Sequence, residues 1–247
     1  MIKLITIITK FIIATILALL VSSCNSSIIF GDGIKGSGNI TTETRTANQD
    51  FKNIDVSNGV KVIIEQSNTK YISVEVDDNL QNIITTKIEN GVLKIGADKN
   101  YNSTETPIVT VKTPIINELS TSSGSLLVSS KVIKSDFLNA KSSSGSQIKI
   151  EVEADAITVE SSSGSSLEVS GKALKLETSS SSGSTIEAKK LMANEVISQS
   201  SSGSSTSVHP ILSLNAKANS GSSIIYYKTP NSISKEENSG GSVSQNQ

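Results

Sequence analysis

The chain has 247 residues, with 22 basic and 23 acidic side chains, one cysteine, four Tyr, four Phe and no Trp. Aromatic residues are 3% of the total, which excludes a core built on large rings and leaves Ile, Val, Leu and small residues to fill it. No run of Lys or Arg makes a basic face, which excludes nucleic acid as a partner, and the single Cys24 allows neither an intrachain disulfide nor a cysteine zinc cage.

Residues 1–23 have the parts of an export signal: Lys3 and Lys10, an apolar run from Phe11 to Val21, then the small Ser22 and Ser23. The run is shorter than the roughly 20 residues that cross a bilayer. Val21-Ser22-Ser23-Cys24 reads as a bacterial lipobox, in which the Cys24 thiol takes a lipid and becomes the first residue of the mature protein. An uncleaved membrane helix and an ordinary buried cysteine are the plainer readings, but neither explains why the sole Cys sits where the apolar run ends. The implied address is the cell envelope, at the outer membrane, with the membrane as a partner through Cys24. No acidic run follows Cys24, so the periplasmic and outward faces both stay open. Residues 24–49, which include the glycine-rich stretch from Gly31 to Gly38, read as a tether.

From Asp50 to Glu118 the pattern is strand after strand, without apolar residues at helical spacing. Val60, Val62 and Ile64 alternate with their neighbours, as do Ile72, Val74 and Val76, and Val109 with Val111. Asn58-Gly59 and Asn90-Gly91 each lie between two apolar segments. Such a pair turns either a hairpin or a corner between parallel strands, because both residues tolerate positive φ. Pro107 and Pro114 bracket a strand from Ile108 to Thr113 that suits a sheet edge or a coil boundary.

Ser-Gly-Ser then recurs six times, on Gly124, Gly145, Gly164, Gly183, Gly203 and Gly221, at separations of 21, 19, 19, 20 and 18 residues. A period near twenty marks a solenoid. Three residues after each glycine stand Leu127, Ile148, Leu167, Ile186, Thr206 and Ile224; seven before stand Asn117, Leu138, Ile157, Leu176, Val196 and Leu214. With a side-chain period of two, both sets face one side of their strands. Each coil therefore reads as strand, Ser-Gly-Ser corner, strand and a short link such as Ser170-Gly171-Lys172. The fold class is all-β, a parallel β-helix or solenoid with coils of about 18–21 residues, right-handed by the usual rule for parallel crossovers. The glycines serve as structural turns because they take positive φ without strain. Serines one and three positions before them share inward parity, which implies a buried hydroxyl ladder. Leu126 and Val128 disturb that parity in the first coil. The regular coils span 115–228 within a body of 50–243. A degenerate coil around Gly240, with Ile233 and Val243, caps it over 229–243, and the tail 244–247 frays.

The lipobox, the run from Asp50 to Val62, Asn90-Gly91-Val92-Leu93-Lys94-Ile95, the Pro114 strand, the Ser-Gly-Ser coils and a closing Gly240-Gly241-Ser242 together give the chain a resemblance. It resembles the head GIN domain family of auto-transporter adhesins, common in Bacteroidetes, over roughly Asp50 to Val243. The resemblance implies a β-helical, envelope-associated, adhesin-like protein, and it supplies no catalytic residues.

Chemistry in the coils is sparse. Glu168 and Glu187 both fall four positions after a glycine, one coil apart, beside Lys149. Paired carboxylates of this kind serve polysaccharide-cleaving β-helices, while the plainer reading is a solvated charge ladder. His209, the sole histidine, precedes Pro210 and has no signature of a triad or a multi-histidine metal site around it. Of Tyr226 and Tyr227, one points in and one out. Ser143, Ser162, Ser181 and Ser201 form an uncharged strip beside the corners that would suit a glycan if it faces outward; turn chemistry alone also accounts for them. The sequence therefore reads as a non-enzymatic envelope lipoprotein without cofactor or metal, serving in adhesion or as a scaffold for a glycan or an envelope protein. A carbohydrate-binding or carbohydrate-active protein using the Glu168/Glu187 face is the alternative.

Overall fold

Ile148, Ile150, Val152, Ile157 and Val159 alternate with polar residues along one coil, and all five are buried. In the next coil Leu167, Val169 and Leu176 stand in register on Ile148, Ile150 and Ile157. Each such side chain is worth about 2 kcal/mol on burial, so the stack gains with every coil added. The computed structural model describes Thr15 and residues 33–246; residues 1–14 and 16–32, with Cys24 among them, and Gln247 lie outside the described residues. From Ile34 onward the chain is nearly all-β, a β-solenoid of about seven turns of parallel stacked coils.

The coils are more continuous than the sequence implies. Gln147–Ser161, Ser166–Ser180, Thr185–Ser200 and Ser205–Asn219 are single long strands, each running from one Ser-Gly corner to the next. The link between half-coils is therefore no break. Pairing passes Ala154↔Ala173 and resumes at Ala156↔Lys175, so the bend skips only Asp155 and Leu174. In the first regular coil, Leu127 is buried and pairs with Ile148, while Leu126 and Val128 lie half-buried on the outer face. That coil keeps the common parity, because its extra apolar residues face outward.

The two Asn-Gly pairs divide between the two geometries open to them. Asn90-Gly91 closes an antiparallel hairpin of Ile84–Glu89 on Val92–Ala97, with Glu89 opposite Val92. Asn58-Gly59 turns a coil corner between Asn53–Val56 and Lys61–Gln66. Those strands pair in parallel with Val92–Ala97 and Ile108–Thr113 on one side, and with Glu118–Thr121 and Leu126–Ser129 on the other. The earliest coil is thus held between two that follow it in sequence. Gln66 pins the crossover, donating to the Pro114 and Lys134 carbonyls at 3.1 and 2.8 Å and accepting the Lys134 N–H at 2.8 Å.

The expected tether is partly folded. Ile34–Lys35 pairs with Tyr101–Asn102, and Ile40–Arg45 pairs antiparallel with Tyr71–Asp77, which in turn lies antiparallel to Ile108–Thr113. The cause is Asp77, a fully buried carboxylate. It accepts the Gly38 N–H at 2.8 Å, the Thr104 N–H at 2.9 Å and the Thr104 hydroxyl at 2.8 Å. Gly36 passes so close that a Cβ there would lie 2.5 Å from the carboxyl. At the other end, Ser242–Gln245 pairs with Ser223–Tyr226 and the Asn246 N–H donates to the Tyr226 carbonyl at 3.0 Å. Ser244 to Asn246 therefore belong to the ladder rather than to a frayed tail. In this last coil Val243 is buried and Ile233 exposed, and Lys235 reaches Tyr226 Oη and the Val243 carbonyl, both at 3.1 Å, across the end of the core.

Burial raises the Asp77 carboxyl, but hydrogen bonds from Thr104 and Gly38 outweigh it and hold the carboxyl below the ordinary aspartate value. With the folded value below the unfolded one of about 3.9, ionised Asp77 stabilises the fold above about pH 4, and that contribution is lost as pH falls through the folded value. Asp77→Asn should lower the urea midpoint at neutral pH and show a smaller further decline on acidification than wild type. Equal acid declines in the two proteins would refute the assignment.

Candidate functional site

The Ser-Gly-Ser edge is built from a two-residue left-handed turn. Ser123, Ser144, Ser163, Ser182, Ser202 and Ser220 have φ of 52 to 54°, and Gly124, Gly145, Gly164, Gly183, Gly203 and Gly221 follow at 67 to 69°. Positive φ at both central residues is the geometry Asn-Gly favours, and Asn58-Gly59 and Ser239-Gly240 adopt it too. The serine shares the left-handed conformation with its glycine, so it turns outward and is exposed. The buried serines are the ones three before and one after the glycine, and the inward parity assigned to the one immediately before is corrected: the turn absorbs two residues and shifts the phase.

Hydrogen bonds explain why the position after the glycine is serine in every regular coil. The Ser165 hydroxyl donates to the Ser142 carbonyl of the preceding coil at 2.7 Å and accepts the Ser162 N–H of its own turn at 3.1 Å. Ser184 makes the same pair of contacts with Ser161 and Ser181 at 2.7 and 3.2 Å, and Ser222 with Ser200 and Asn219 at 2.8 and 3.1 Å. Each hydroxyl thus closes one turn and staples it to its neighbour. The glycine N–H adds a second tie, from Gly145 to the Ser163 carbonyl at 3.1 Å and likewise along the stack from Gly59 to Gly221. Deeper in, Ser180 Oγ lies 2.8 Å from Ser200 Oγ and 2.9 Å from Ser204 Oγ, a satisfied interior cluster of hydroxyls.

On the outer side of this edge Ser143, Ser162, Ser181 and Ser201 are half-buried. The first three line a shallow groove of about 310 Å³ with Lys141 and Glu160. The Glu168/Glu187 face is a charge ladder. Glu168 lies opposite Glu187 in adjacent coils, but it bonds Lys149 at 2.9 Å and Lys190 at 3.6 Å, while Glu187 bonds Lys189 at 3.2 Å. The Lys149 hydrogen bond, helped by Lys190, holds the Glu168 carboxyl below its ordinary value, opposite to the shift a general acid needs. His209 sits in a strand with Nδ1 3.2 Å from the Lys189 carbonyl. Tyr226 is buried and Tyr227 exposed. Among the described residues no group of three or more His, Cys, Asp or Glu is placed to hold a metal ion. Cys24 lies outside the described residues.

Residues 50–230 match the family model described as "Putative auto-transporter adhesin, head GIN domain". The chain belongs to this family. The family's adhesin description suits an envelope- or surface-associated protein. A "putative adhesin" from Bacteroides fragilis NCTC 9343 superposes with a TM-score of 0.81 at 20% identity, over 87% of this chain and 100% of that one. The same shares of the two chains apply to a "putative adhesin" from Parabacteroides merdae ATCC 43184, with a TM-score of 0.71 at 21% identity. They apply also to a "putative lipid binding protein" from Parabacteroides distasonis ATCC 8503, at 0.73 and 21%. At these identities the likeness shows the fold. No curated protein matches the chain.

Two features escape the glycine-aligned pattern. One is the left-handed serine, for which the Asn-Gly pairs were the available signal. The other is a set of exposed apolar residues at the second bend, Phe137, Leu174, Met192 and Leu212, which stand out of phase with the inward positions. Stapling predicts that Ser184→Ala lowers stability by about 1–3 kcal/mol. Ser182→Gly, which only relieves a left-handed residue, should be neutral or stabilising by up to about 1 kcal/mol. Urea midpoints for the two variants check this, and equal effects would sink the stapling account.

Proposed function

We propose that the chain is a non-enzymatic, adhesin-like interaction protein of the cell envelope, lipid-anchored through Cys24 at the outer membrane. The observation that carries this reading is the family match over residues 50–230. The structure adds a stapled solenoid whose outer surface repeats the same polar groups from coil to coil. Such a surface suits a partner that is itself long or repetitive, because each coil contributes one weak, equivalent contact and the contacts sum. The non-enzymatic side is supported by the ion-paired carboxylates of Glu168 and Glu187, and the anchor by Val21-Ser22-Ser23-Cys24.

A glycan is the partner favoured by a specific feature, the groove that the half-buried serines line together with Lys141 and Glu160. Its hydroxyls repeat at coil spacing, roughly 4.8 Å, and carry no charge of their own. An envelope protein is the other partner class for the same edge.

Two measurements test the proposal. Cells fed labelled palmitate should incorporate it into the wild-type chain and not into Cys24→Ser; label in both, or in neither, removes the anchor. Presented with cell-wall polysaccharides, host glycans and envelope proteins, the full chain should retain at least one. Ser162→Arg combined with Ser181→Arg should weaken a retained glycan about tenfold, equal to about 1.4 kcal/mol. A chain that retains nothing from the panel counts against the interaction role.

A further inference from the structure

The edge opposite the Ser-Gly corners is chemically different. Five large apolar residues are exposed there over six consecutive bends, the bend at Asp155 carrying none: Ile115 at 45%, Phe137 at 50%, Leu174 at 55%, Met192 at 44% and Leu212 at 45%. Leu174 and Met192 line a shallow groove of about 810 Å³ with Ala154 and Ala173, and Ile115 and Phe137 line a neighbouring one of about 420 Å³. Exposed apolar residues scattered singly need no explanation, but a contiguous patch rimmed by charge marks an interface.

The two central coils of the patch separate their charges, while the coil before them carries both Lys134 and Asp136. One coil carries Glu153 and Asp155 and the next carries Lys172 and Lys175, with Glu153 against Lys172 in the ladder. Among the described residues Asp155 and Lys172 make no ion pair, while Glu153 pairs with Lys134 at 3.3 Å and Lys175 with Glu177 at 2.6 Å. An acidic coil followed directly by a basic one is complementary to its own reverse.

We propose that this edge is a self-association surface, on which a second copy of the chain docks antiparallel about a two-fold axis lying across the solenoid between these two coils. Glu153 and Asp155 of each copy then face Lys172 and Lys175 of the other, and symmetry makes the contact twice. The same operation brings the projecting Leu174 of each copy over the bend at Ala154 and Ala156 of the other, which carries no large apolar side chain. A parallel pairing would set acidic coil against acidic coil and basic against basic, so the charge order selects the antiparallel one. The patch crosses about six coils, or roughly 24 Å at 4.8 Å each. That is small for a stable dimer, and association should be weak and concentration-dependent.

The experiment is light scattering on the full chain in mild detergent over a range of concentrations, with circular dichroism to show that each variant is folded. Wild type should shift from monomer to dimer. Glu153→Lys with Asp155→Lys should weaken association at least tenfold, and so should Lys172→Glu with Lys175→Glu. An equimolar mixture of these two variants should associate again, because both contacts regain opposite charges. Leu174→Asp should abolish association without that rescue. Wild type that stays monomeric to about 1 mM, association that the reversals leave unchanged, or a mixture that stays monomeric would each overturn the proposal.

Discussion

Everything in the solenoid depends on one left-handed two-residue turn being repeated without drift. A non-glycine residue held left-handed costs about 1–2 kcal/mol, and the serine before each regular glycine is held so. The cost is offset within the same turn. The next serine's hydroxyl takes up a turn N–H and ties the turn to the coil before it, while the glycine N–H ties it to the coil after. Corners linked in both directions keep the strands in register, and register keeps the Ile, Val and Leu side chains stacked in the interior. The serine-rich composition, which taken alone suggests a flexible linker, is therefore the means by which the corners order one another.

Much of the repeat region was legible because its signals are local and periodic. Gly145 and Ile148, or Gly164 and Leu167, fix a phase that a side-chain period of two carries through the strand. What stayed hidden depends on partners distant in sequence. Nothing near Ile40–Arg45 shows that it will pair with Tyr71–Asp77, because the deciding group is the Asp77 carboxylate, reached from Gly38 and Thr104. Asn58-Gly59 and Asn90-Gly91 are locally alike, and only the later strands decide that one is a corner and the other a hairpin. The serine strip was legible as one that would suit a partner if it faced outward, whereas Leu174 and Met192 were not, because the residue skipped at Leu174 and the register shift between Glu187 and Lys190 each break the parity count.

The two edges of the solenoid divide the chemistry between them. One is lined by hydroxyls repeated from coil to coil, which suits contacts with a periodic partner. The other is apolar and charge-sorted, varies from coil to coil, and suits a single defined mate. Between them the face with Glu168 and Glu187 is a lattice of ion pairs exposed to water, each worth little by itself. The adhesin-like family description fits a molecule whose interior is uniform and whose surfaces differ.

The placement of the first coil bears on how the chain acquires its shape. Asn53–Val56 stacks on Val92–Ala97 and on Glu118–Thr121, so both of its neighbours are made later. A chain emerging from its amino terminus holds Asn53–Val56 without a partner on one side until residue 95 has appeared and on the other until residue 121. Ordering cannot advance from the front in the way a simple repeat array allows. The regular coils, whose contacts span about twenty residues, are the segment able to nucleate, and the amino-terminal third closes onto a stack already formed.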